Sequence, residues 1–107
     1  MQTHAFEVKA VELAQKFQQV GCLSDIDEAI KIMEYAISKA DDVMMPHMLD
    51  HLGAMLGMRF DQTRSMCDLN RAISIATIAV NLTAHDDLSR PQHLLNLGHS
   101  LGRREVG

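Results

Sequence analysis

The amino-acid sequence predicts an all-α fold, about five antiparallel helices stacked as two and a half helical-hairpin repeats into an α-solenoid. Three observations carry this. Leu49, Leu52, Gly53 and Leu56 form L-x2-L-G-x2-L, and Leu94, Leu97, Gly98 and Leu101 form it again 45 residues later. Asp25-Ile26-Asp27-Glu28-Ala29-Ile30 and Asp68-Leu69-Asn70-Arg71-Ala72-Ile73 are a second matching pair, 43 residues apart. The composition is 47% hydrophobic but only 4% aromatic, with eight methionines and no tryptophan, so the core is Ile, Leu, Met and Ala, which suits helices better than a sheet. A fixed period of this length marks an array in which each unit buries its apolar face against its neighbours. Such arrays are more often binding scaffolds than enzymes.

The first helix, about residues 3–18, sets Phe6, Ala10, Leu13 and Phe17 at steps of four, three and four, one face of a helix. The second, about 25–40, carries Ile26, Ala29, Ile30, Met33 and Ile37. Asp25 with Glu28 three residues on is a capping-box arrangement, which predicts that Asp25 satisfies free N–H groups at the helix start. The third, about 46–60, opens on Pro46, well suited to a first helical turn. The fourth, about 68–83, begins at Asp68. The fifth, about 90–104, follows Ser89-Arg90-Pro91-Gln92, where Ser89 is the expected cap and Gln92 its reply. No stretch alternates apolar and polar residues between turn dipeptides, so no strand competes.

The register extends back to the start. Ala10, Leu13 and Phe17 precede Gly53, Leu56 and Phe60 by 43 residues, and His4 precedes His47 by the same distance. The helix order is therefore A-B, A-B, A in a single domain of residues 1–107: repeat one about 3–40, repeat two about 46–83, and a half repeat about 90–104. The fifth helix is expected to present an uncovered apolar side, as in a fragment of a longer array or a chain that self-associates through that end.

L-x2-L-G-x2-L followed by A-x3-M/A-x2-A resembles the tetratricopeptide (TPR) repeat, over nearly the whole chain. The second element is Ala29, Met33 and Ala36, and again Ala72, Ala76 and Ala79. Gly53, Gly98, Ala29 and Ala72 are expected where side-chain bulk would push paired helices apart. The period of 43 to 45 exceeds the roughly 34 residues of the consensus. The extra length is expected between the helices of each repeat, from Phe17 to Asp25 and from Phe60 to Asp68. In this the chain is similar to an extended-loop TPR form of large multidomain fungal proteins. Arg90-Pro91, Leu94-Leu95-Asn96-Leu97-Gly98, Arg59-Phe60 and Asp68-Leu69-Asn70-Arg71-Ala72-Ile73 match that form. The resemblance implies a scaffold or sensor role beside nucleotide-switch or caspase-like domains. Lys9-Ala10 stands where Leu-Gly is expected, which marks the first helix as a degenerate copy or a cap.

In a TPR superhelix the A helices line a concave groove. The resemblance places His47, Asp50, His51, Gln92, Asn96, His99 and Arg103 there as partner-binding residues, with His4 and Glu7 at the matching places of the first helix. Of the Lys, Arg and Asn set with which such domains grip a peptide C-terminal carboxylate, only Asn96 and Arg103 are matched, so that activity is not carried over. On the fourth helix, Ser74, Thr77, Ile78 and Leu82 replace Lys31, Glu34, Tyr35 and Lys39 of the second. Ile75, Ile78 and Leu82 form the expected interface patch, covered by another chain. His47 and His51, four apart on one helix, can hold a metal given a third ligand from His4 or His93. A small ligand or metal pocket of His47, Asp50, His51 and His93 is therefore the alternative to a scaffold. With no HExxH motif and no cysteine cluster, no metal or other cofactor is assigned.

Other function classes find no support. Cys22 and Cys67 form no CxxC pair, and no histidine recurs beside them to activate a nucleophile. No GxxxxGK[ST] or GxGxxG offers a phosphate-cradling loop. The net charge of −4 and pI near 5.8 argue against nucleic acid as a partner. The longest apolar run, around Ala76 to Leu82, falls far short of the ~20 residues that span a bilayer, so no membrane partner is expected. The N-terminus has no basic start followed by an apolar run, and the cysteine usage fits a reduced compartment, read as the cytoplasm. The expectation is a non-catalytic protein-interaction or oligomerisation scaffold that binds a peptide, a domain or itself.

Overall fold

A computed structural model describes residues 2–84 and 86–106, with residues 2–4, 105 and 106 as backbone only. Among the described residues the chain forms α1 (Gln2–Val20), α2 (Leu23–Ser38), α3 (Met45–Thr63), α4 (Met66–Leu82) and α5 (Arg90–Val106), and no strand. The all-α expectation and the five helices hold. None of the described helices is long and apolar enough to cross a membrane.

The extra repeat length does not form the expected loop between the two helices of a repeat. α1 and α3 each run 19 residues, and each is joined to the next helix by only two, Gly21-Cys22 and Arg64-Ser65. The physical cause is a left-handed stop after each long helix. Gly21 (φ 81°) and Arg64 (φ 60°) turn the chain, and their N–H groups donate to the carbonyls of Phe17 and Phe60, at 2.7 Å in each case. The longer connections are those between hairpins, residues 39–44 and 83–89.

The helix starts also differ from the expected caps. α2 begins at Leu23, with Cys22 in extended conformation before it and no side-chain cap. Asp25 lies inside the first turn, where its carboxylate stands 4.0 Å from Lys16 Nζ of α1. α4 likewise begins at Met66, and Asp68 in its first turn turns to Arg59 of α3. In both, a cation on the preceding helix takes the carboxylate in place of the helix's own N–H groups. The Ser89 hydroxyl donates to Asp87 Oδ1 at 2.6 Å, and Gln92 donates to Asn96. Pro46 sits in the first turn of α3, as its fixed φ predicts.

The molecule measures 36 × 35 × 20 Å, about two helix diameters deep. α3 touches each of the other four helices, and consecutive helices pack most closely. Its buried residues Met48, Leu49, Leu52, Met55 and Leu56 meet Ala10, Ala14 and Phe17 of α1, Ile26, Ala29, Ile30 and Met33 of α2, and Ala72, Ile75 and Ala79 of α4 in one core. Ala29 and Ala72 are fully buried, as the close-approach argument requires. The glycines differ. A methyl added at Gly53 would lie 3.7 Å from the Ala72 carbonyl oxygen and 3.8 Å from Ile75 Cγ2, an ordinary contact that excludes only larger side chains. At Gly98 nothing lies within 4 Å, so the expected close approach is not made there.

Candidate functional site

Helices α1, α3 and α5 carry a ladder of acids and imidazoles. The first rung joins α1 to α3. Glu7, buried one to two turns into α1, faces His47 and His51, which share a face of α3 at a spacing of four. Glu7 Oε2 is 3.6 Å from Nε2 of each histidine, and the two Nε2 atoms are 3.2 Å apart. The rings meet edge to face at 88°. Burial, and then the neighbouring His47, press the His51 imidazole below its usual basicity, which favours its neutral form.

The second rung joins α3 to α5. Asp50, 43 residues after Glu7, is buried and pairs through Oδ2 with Nδ1 of buried His93. Its Oδ1 is buried and makes no hydrogen bond among the described residues. Asp50, Asn96, His99 and Arg103 converge on one cavity of about 180 Å³ between α3 and α5. Arg103 also binds Asp61 through Nε at 3.0 Å, lying across Gly57.

The expected groove residues therefore split into two groups. His47 and His51 belong with Glu7, while Asp50, Asn96, His99 and Arg103 line the α3–α5 cavity and exposed Gln92 joins them through Asn96. The four-residue pocket of His47, Asp50, His51 and His93 does not form. His93 is consumed by Asp50, and Glu7 supplies the third group beside the α3 histidines. The side chain of His4 lies outside the described residues. The expected patch on α4 is also smaller. Ile75 is buried in this chain's own core, and only Ile78 and Leu82 stand exposed. Cys22 and Cys67 are free and exposed, and the Ser24 hydroxyl lowers the Cys22 thiol's pKa from its usual value.

Sequence reasoning passed over the ion pairs between helices. Arg59 forks onto both Asp68 oxygens, at 2.9 and 2.8 Å, and reaches Asp27 of α2 at 2.9 Å. These carboxylates, Asp68 foremost, hold its guanidinium above its ordinary pKa. Lys16, Arg59 and Arg104 follow one another at steps of 43 and 45, and Asp25 and Asp68 at 43, so the repeat register held this signal. Within each hairpin the A-helix cation meets the B-helix acid.

These features define an all-α protein of packed helical hairpins. No family model, curated protein or solved structure matches the chain.

Proposed function

We propose that this chain is a non-catalytic protein-interaction scaffold, a TPR-like α-solenoid that docks an α4-type helix on the outer face of α5. One observation carries the reading: the same leucine and glycine pattern is buried throughout in α3 and only partly covered in α5. Leu49, Leu52 and Leu56 are 8%, 3% and 0% exposed, whereas Leu94, at the place of Leu49, is 46% exposed. Leu97 and Leu101 are half-buried. Gly53 packs against α4, and its counterpart Gly98 faces open space. Leu95, at the place of Asp50, is 52% exposed. Arg104, at the place of Arg59, is exposed and has the charge to meet an acid in the first turn of an incoming helix.

The chemistry of the occupant follows from that register. It is an amphipathic helix with alanine opposite Gly98, a branched aliphatic residue beside it, and an aspartate in its first turn. A synthetic peptide of residues 65–84, the α4 sequence, is the direct probe. Titration calorimetry is expected to give saturable binding that Gly98→Leu weakens at least about tenfold, because the added side chain fills the seat. No binding, or binding indifferent to Gly98→Leu, contradicts the reading.

A further inference from the structure

We propose that Glu7, His47 and His51 form a transition-metal site of the zinc class that ties α1 to α3. The argument is geometric. Three donor atoms, one carboxylate oxygen and two imidazole nitrogens, stand 3.2, 3.6 and 3.6 Å from one another. A tetrahedral ion with bonds of about 2.0–2.1 Å holds its ligands about 3.3–3.4 Å apart, the edge of that tetrahedron. The three edges of the donor triangle bracket this value. A single proton on one imidazole nitrogen bridges one edge of the triangle, whereas a cation at its centre satisfies all three donors at once.

The donor set selects the metal. Two imidazoles and one carboxylate suit zinc, cobalt, nickel or copper, while magnesium and calcium prefer oxygen throughout. Glu7 anchors the site from a buried position, and His47 is 63% exposed, so an ion enters from the His47 side and keeps room for water as a fourth ligand. Spacing on α3 supplies the two histidines on one face, and α1 brings the acid. α1 and α3 otherwise meet directly over a small area, so the ion would staple two A helices that touch only lightly.

The test is a zinc titration of the chelator-stripped chain, followed by its melting temperature and, with cobalt, by the visible absorption of a tetrahedral complex. One equivalent of zinc is expected to raise the melting temperature, and magnesium to leave it unchanged. His47→Ala changes an exposed side chain and should melt like the parent without metal, yet bind zinc at least about tenfold more weakly. Glu7→Gln, close to Glu in shape, should do the same to zinc affinity. A chain that zinc does not stabilise, or zinc binding that survives both substitutions, overturns the proposal.

Discussion

Gly21 and Arg64 stand 43 residues apart and close successive long helices with the same left-handed step. Glycine adopts it freely, whereas an L side chain pays about 1 kcal/mol. Arg64 is seated there over the Phe60 ring, its guanidinium carbon 5.4 Å from the ring centre. Arg64→Gly is therefore expected to stabilise the chain by up to about 1 kcal/mol, less the added freedom of the unfolded glycine. Urea unfolding checks this through a higher midpoint at unchanged slope, and a lower midpoint counts against it. The stops at Gly21 and Arg64 escaped the sequence reading because it looked for helix starts at Asp25 and Asp68. An aspartate can serve a helix N-terminus or a cation on the preceding helix. Periodicity cannot say which, because Lys16 and Arg59 come within reach only once the hairpins pack. Glu7 and Asp50 were placed on a wet groove for a similar reason. Hydropathy puts acids outside, and only their shared register hints that both are buried against imidazoles.

At the scale of the element, helix identity and order were legible because the leucine, alanine and glycine spacings repeat at helical period. Helix lengths were not, since polar residues such as Gln19, Gln62 and Thr63 extend a helix without adding to its apolar stripe. The glycines of α3 and α5 separate what a helix needs for itself from what it offers a partner. Gly53→Leu must force its branched end into Ala72 and Ile75 and is expected to cost about 1–3 kcal/mol. Gly98→Leu meets nothing and should stabilise the free chain by roughly 0.5–1 kcal/mol through helix propensity alone. Thermal melts of the two variants check both signs. Equal destabilisation would mean that the face at Gly98 is already covered.

At the scale of the whole molecule, Leu49, Asp50 and Gly53 of α3 are buried where Leu94, Leu95 and Gly98 of α5 are exposed, and the repeat register says which contacts the α5 positions lack. The α4-type helix can be supplied in the same polypeptide by appending a second copy of residues 63–84 after Gly107, where linkage makes docking intramolecular. The decisive measurement is the melting temperature of that extended chain with and without Gly98→Leu. Docking on α5 predicts a rise over the parent of about 4–8 °C for each kcal/mol the added helix contributes. It also predicts that Gly98→Leu lowers the melting temperature of the extended chain while raising that of the parent. An extended chain that melts like the parent, or a substitution that raises both alike, contradicts the account.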